Sequence, residues 1–281
     1  MSLSGHAQMW ESAVRSYRQS ATAADIAANY FDLPLETAAR RFAASEEFAE
    51  VRRLLGPAAT RSILDVGAGQ GVSSFAFASD GWRVTALEPD PSREVGSAAI
   101  HTLAKVAAES IAVVRSIGEA MPFRGGSFDA AYCRQVLHHS RALPKLLTEL
   151  ARVLKPGAPL LTVRDHVADN DLQREQFLDA HPLHAAYGGE WAYSIEEYLE
   201  AATGAGFALE RSWGPEQSIL NFYPGTGAQL AELQRQVATL TWQPFGRWLA
   251  GLAGFRSFAV ARAQARHRQP GRLYSFLFRN R

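Results

Sequence analysis

The sequence predicts an α/β fold: a seven-stranded sheet, mostly parallel with an antiparallel C-terminal strand, and helices on both faces. Two observations carry this. From residue 62 onward, short β-like runs alternate with helical segments, the pattern of a parallel sheet built from crossovers. Residues 63–71, Ile-Leu-Asp-Val-Gly-Ala-Gly-Gln-Gly, then turn an apolar run into a helix through three alternating glycines, Gly67, Gly69 and Gly71.

The elements follow in order. Residues 6–55 are expected to be helical. Pro34-Leu35-Glu36 opens a helix with apolar or small residues at Ala38, Ala39, Phe42 and Ala43, and Gly56-Pro57 ends the region. Strands are expected at 62–66, 83–87, 111–114, 128–133, 159–164, 207–213 and 273–278. Helices are expected from Gly71, over 91–105, over 142–154 and over 194–203. Two stretches exceed this alternation, 165–193 and 216–271. The organisation expected is an N-terminal helical cap or lid, 1–57, and a sheet domain, 58–281, carrying those two insertions.

Composition narrows the class. With 47% hydrophobic and 20% charged residues, the 281-residue chain has the balance of a globular protein with a full core. A single cysteine, Cys133, excludes an internal disulfide and argues against a thiolate zinc site. No basic stretch leads into an apolar core at the N-terminus, and no run of about 18 apolar residues occurs, so the cytoplasm is the expected location. The net charge of +1 conceals an asymmetry: residues 233–281 carry nine arginines and no acid, +9, against −8 for the rest. Arginines facing water or pairing with the acidic body explain this most simply.

The glycine loop lies where a doubly wound sheet binds ligands, at the carboxyl ends of its strands. A phosphate-binding P-loop would need Lys-Ser/Thr after the glycines, and none follows. The dinucleotide fingerprint would place its third glycine at position 72, which is Val72. Glu88, 21 residues after Gly67 at the end of the second strand, can accept both hydroxyls of a ribose diol. A ribose-containing ligand is therefore expected.

At this point the chain resembles the class I S-adenosylmethionine-dependent methyltransferases that act on small molecules. Ile63–Gly71 resembles the family's first motif, and Val84–Asp90 its acidic second strand. Glu119-Ala120-Met121-Pro122-Phe123 with Ser127-Phe128-Asp129 resembles the segment near the adenine. Gln135–His139 and Leu150–Gly157 are similar to its fourth strand and the turn before its fifth. The match spans residues 60–165. It implies a Rossmann-like fold and S-adenosylmethionine as cofactor. It implies backbone of Gly67 and Gly69 near the methionine part, Gly71 in the same loop, and Asp65 orienting that part. Glu88 would hold the ribose, Pro89 and Asp90 would border the adenine, and Gly118 and Glu119 would lie at its edge. Cys133 to Gln135 would lie beside the methionine moiety. The family's acid two residues before Glu119 is replaced here by Ile117.

Methyl transfer from a sulfonium needs alignment and water exclusion more than a reactive side chain, and a base only for a protonated acceptor. His166 and His139 are the candidate bases. Residues 165–193 are expected to build the acceptor pocket, with Tyr187, Glu190, Asn221 and Tyr223 as its contacts, suited to a sugar or polyol hydroxyl. His181, His184 and Glu190 do not match H-E-x-x-H, so no metal is expected. The expected partner is a small-molecule acceptor, with no stable nucleic-acid complex. The apolar stripe Phe245, Trp248, Leu249, Leu252, Phe255 and Ala259, with its flanking arginines, reads first as a helix on the protein's own core. Peripheral membrane contact or a lipid-linked acceptor is less favoured, and a homodimer is compatible with the same stripe. The competing functions are a nucleic-acid methyltransferase using the arginine-rich segment, an NAD-dependent oxidoreductase and a cofactor-binding protein without catalysis.

Overall fold

Seven strands form one sheet in the computed structural model of the protein, which describes residues 3–281 except 60, 108, 109, 188, 243, 244 and 267. They are β1 (Ser62–Val66), β2 (Arg83–Leu87), β3 (Ile111–Val114), β4 (Ala130–Arg134), β5 (Pro159–Val167), β6 (Phe207–Trp213) and β7 (Arg272–Asn280). Their order is β3-β2-β1-β4-β5-β7-β6. The strands from β3 to β5 pair in parallel, and β7 runs antiparallel to both β5 and β6. The winding reverses between β1 and β4, which opens a crevice at their carboxyl ends.

Side-chain alternation along the strands feeds two cores. Ile63, Val84, Ala86, Ala130, Tyr132, Leu161 and Val163 face one, while Leu64, Val66, Ala131, Cys133, Leu160 and Phe276 face the other. Four helices precede the sheet: α1 (Leu3–Ser20), α2 (Ala23–Ala28), α3 (Leu35–Ala43) and α4 (Glu46–Leu55). Helices α3 and α4 pack on the first core through Phe42, Phe48 and Val51, beside α5 (Val72–Ser79) and α6 (Ser97–Ala104). On the second core lie α7 (Leu143–Val153), then, beyond α8 (Asp171–Ala180) and α9 (Pro182–Tyr187), α10 (Ile195–Gly204). Each fully buried Leu or Phe there contributes about 1.5–3 kcal/mol.

Two elements depart from the sequence expectation by three residues or more at one end. Helix α6 starts at Ser97 rather than 91, because the Asp90 carbonyl accepts from both the Ser97 amide and hydroxyl and folds 90–97 into a loop. Strand β5 runs on to Val167 through a bulge between Thr162 and Asp165, with Arg164 at φ +63°. A bulge adds twist and re-aims the residues after it.

The long segment after β6 forms α11 (Gly227–Thr241), α12 (Gly246–Leu249) and α13 (Ala253–Arg266). Its apolar stripe divides. Ala238, Ala250 and Ala259 make a small core with Trp242 and Phe255, whereas Phe245, Trp248 and Leu252 are exposed. Among the described residues no helix is long and apolar enough to cross a membrane.

Candidate active site

A cavity of about 940 Å³ occupies the crevice, near the top of the range for ligand pockets. Its floor is the loop after β1. Gly67, Gly69 and Gly71 take φ of +62°, +54° and +86°, values that favour glycine. The amides of Gly67 and Ala68 both donate to Leu87 O, at 2.8 and 3.2 Å, which fastens the loop to β2. A Cβ on Gly67 would come within 2.7 Å of Val136 Cγ2, so the backbone there is closely packed. Gly71 does not line the cavity; it caps α5 against Ile100.

Two buried acids face this floor. Asp65 accepts from Ser73 Oγ at 2.7 Å and Ser74 Oγ at 2.5 Å, and burial, only partly offset by these bonds, raises its pKa to about 6. Glu88 accepts from the Gly69 amide at 2.8 Å and the Asp90 amide at 2.9 Å. Burial dominates there too and raises Glu88 to about 7. Each Glu88 oxygen keeps a further lone pair, so hydroxyl donors from a ligand would stabilise its ionised form. Pro89, Asp90, Ile117, Gly118 and Glu119 continue the wall. Exposed Ile117 makes this part apolar, and Glu119 is held by the Ser140 hydroxyl. Gln135, at φ +56°, bridges Arg134 and Asn29 of the N-terminal helices.

The opposite wall is rich in histidine. Asp165 Oδ1 accepts the Leu137 amide at 2.9 Å and lies 3.0 Å from His138 Nδ1. His138 Nε2 lies 3.4 Å from Glu190 Oε2, an ion-pair contact rather than an aligned hydrogen bond. Burial disfavours charge on His138, but the two carboxylates outweigh it and raise its pKa to about 9. His139 opens onto the cavity with Nδ1 3.2 Å from Gly189 O. Desolvation first, and the charge on His138 second, lower its pKa, which favours the neutral imidazole. His166 Nδ1 lies 2.7 Å from Gly271 O, a donated bond, and its ring stands 4.7 Å from that of His138. The sequence neighbours Asp165 and His166 do not form a pair; Asp165 serves His138.

Three expected contacts are placed elsewhere. Cys133 is fully buried in the second core and does not line the cavity. Asn221 Nδ2 donates to the Trp213 and Gly214 carbonyls, and its Oδ1 accepts from Ser275 Oγ, so its capacity is spent inside the protein. Tyr223 packs against Tyr30 and Phe42 with its hydroxyl accepting from Arg41, away from the cavity. The Tyr187 side chain lies outside the described residues. Glu190, by contrast, lines the cavity.

The N-terminal segment expected as a cap supplies the roof, although no local pattern singled out the residues that form it. Trp10, Tyr17, Asn29, Tyr30 and Phe31 of the N-terminal helices cover the cavity, together with Leu183 from α9. Arg15 and Arg18 pair with Glu94, which ties α1 to the loop after β2. Arg134 and Glu47 form a fully buried ion pair at 2.8 Å, with the guanidinium 4.0 Å from the Tyr30 ring.

The glycine floor with Glu88 and Asp65 fits a ribose-bearing cofactor that carries no phosphate. Comparison with known proteins agrees. Residues 64–162 match the family model described as a methyltransferase domain. The chain is 30% identical over 220 residues to the thiol S-methyltransferase TMT1B of Homo sapiens, covering 74% of this chain and 76% of that protein. It is 29% identical over 138 residues to the uncharacterised methyltransferase YcgJ of Bacillus subtilis, of which it covers 53%. Among solved structures, a putative sarcosine dimethylglycine methyltransferase from Galdieria sulphuraria superposes with a TM-score of 0.57 at 19% identity, covering 95% of this chain and 96% of that one. A geranyl diphosphate methyltransferase in complex with GPP and sinefungin does so with a TM-score of 0.57 at 14% identity, covering 89% and 84%. These two share the fold. The relationship to the human enzyme, with the matching domain and the cradle, identifies the chain as a member of the class I S-adenosylmethionine-dependent methyltransferases.

Proposed function

We propose that the chain methylates a thiol or hydroxyl on a small molecule with an apolar body, with His139 as the proton acceptor. The observation that supports this most is the single cavity shared by the glycine floor and His139. S-adenosylmethionine, when bound, supplies a methyl group already activated on a sulfonium. Asp65, Glu88 and the glycine backbone then bind and orient it, and the helical cap 1–57 excludes water with Trp10, Tyr17 and Phe31. Neutral His139, its Nδ1 proton directed at Gly189 O, offers Nε2 to the proton that the acceptor loses. Charged His138, fixed by Asp165 and Glu190, keeps His139 neutral and holds its place in the turn Leu137–His139.

The aromatic roof favours an apolar body over the sugar or polyol expected from Tyr187, Asn221 and Tyr223. The similarity to a protein named as a thiol S-methyltransferase supports sulfur as one such acceptor. The test is transfer of labelled methyl from S-adenosylmethionine to a panel of aryl and alkyl thiols, phenols, alcohols, polyols, amines and RNA. Label on the apolar thiols or hydroxyls is the expected outcome. Label only on polyols, amines or RNA would sink the reading.

A further inference from the structure

Three side chains from different elements meet on the histidine wall: His166 from β5, His181 after α8, and Glu190. One ring nitrogen of each histidine and a Glu190 carboxylate oxygen all lie within 4.8 Å of one another. We propose that His166, His181 and Glu190 form a binding site for a divalent first-row transition ion of the zinc type. The spacing of His181, His184 and Glu190 in the sequence argued against a metal. The structure leaves His184 out of the group and brings in His166, which no local pattern could place there.

Several features fit ligation. Glu190 is 4% exposed, so its carboxylate is held inside the wall, with Oε2 3.4 Å from His138 Nε2. His181 Nδ1 lies 4.0 Å from Glu190 Oε1, so the carboxylate can offer that oxygen while Oε2 stays beside His138; Nδ1 also accepts the His184 amide at 3.4 Å, a long contact that ligation through this nitrogen would replace. The bond from His166 Nδ1 to the Gly271 carbonyl leaves the Nε2 lone pair free, the outer-shell arrangement that metal-bound histidines commonly show. Phe177 backs the His166 and His181 rings, at 4.6 and 5.1 Å between centroids, and limits their movement.

The alternative trio, His138, His139 and Glu190, also meets the distance criterion. There His138 cannot serve, because its two ring nitrogens already face Asp165 and Glu190. Two imidazoles with one carboxylate suit zinc, iron, cobalt or nickel better than magnesium or calcium. Three protein ligands also leave a position open, as catalytic sites do, and all three residues line the acceptor cavity. The site does not depend on which acceptor the enzyme uses.

The experiment is calorimetric titration of the metal-free full-length protein with Zn²⁺, with Co²⁺ absorption as a second probe of geometry. The wild type is expected to bind one equivalent. His166→Ala and His181→Ala are expected to weaken binding by more than about tenfold, while His139→Ala stays within about twofold of wild type. Binding of S-adenosylmethionine by each variant shows that it is folded. No saturable Zn²⁺ binding by the wild type would overturn the proposal. So would a loss in His139→Ala equal to that in the other two.

Discussion

Glu88 Oε2 accepts the Gly69 amide at 2.8 Å, so the acid just after β2 and the glycine loop after β1 form one ligand-binding unit. The carboxylate orders the loop, and the loop's N–H lowers the cost of burying the carboxylate. Without further donors, burial still prevails and raises Glu88 to about 7.

Cofactor affinity should therefore depend on pH. Ribose hydroxyls donate to the ionised carboxylate, so S-adenosylmethionine binding is expected to tighten as pH rises through about 7. Glu88→Gln should remove most of that dependence and weaken binding by roughly 10–100-fold, as expected for hydrogen bonds to a charged group. Calorimetry at pH 6 and 8 checks both. Stability of the ligand-free protein moves the other way. A raised folded pKa gives a contribution fully present below 4.5 that is lost as pH rises through about 7.

Gly71→Ala tests the turn itself. Its φ of +86° and the approach of Ile100 Cγ2 to 3.0 Å from an added Cβ both oppose a side chain. A loss of about 1–3 kcal/mol is expected for the backbone conformation alone, read from the midpoint of urea unfolding. A shift under about 0.5 kcal/mol would mean that the loop relaxes freely.

Glu47→Gln should be the most damaging change outside the cavity floor. It strands the Arg134 guanidinium, whose side chain is 3% exposed. Breaking a buried pair from one side costs about 3–5 kcal/mol. Guanidinium unfolding of this variant against wild type measures it. Glu50→Gln, whose partner Arg53 is surface-exposed, should cost under about 1 kcal/mol.

His139→Gln should lower kcat by about 10²-fold or more, the usual contribution of a positioned base. The dissociation constant for S-adenosylmethionine should not change. A loss of cofactor affinity with kcat intact would assign His139 to binding instead.

The parts of the site that could be read in the sequence are those encoded locally. Asp65, Gly67, Gly69 and Glu88 sit on consecutive strands at fixed spacing, and strand ends converge in any parallel sheet. Asn221 and Tyr223 were expected in the pocket from residue type alone, which carries no information on direction; both point inward. The pairing of His138 with Asp165 depends on the bulge at Thr162/Asp165, an irregularity that strand periodicity does not reveal. Trp10 and Tyr17 reach the cavity through the docking of α1, a tertiary event with no local signature.

The hydrogen bond from Gln70 to the Tyr30 carbonyl, with that from Gln135 to Asn29 at 2.8 Å, joins the N-terminal segment to the floor loop after β1 and to the loop after β4. The segment 64–162 is thus not an interchangeable module. A chimera that grafts another family member's leading helices onto this sheet would have to present a backbone carbonyl where Tyr30 offers one to Gln70 and a side-chain acceptor where Asn29 meets Gln135. Any change in how the cap docks is thereby felt at the loops that line the cofactor site.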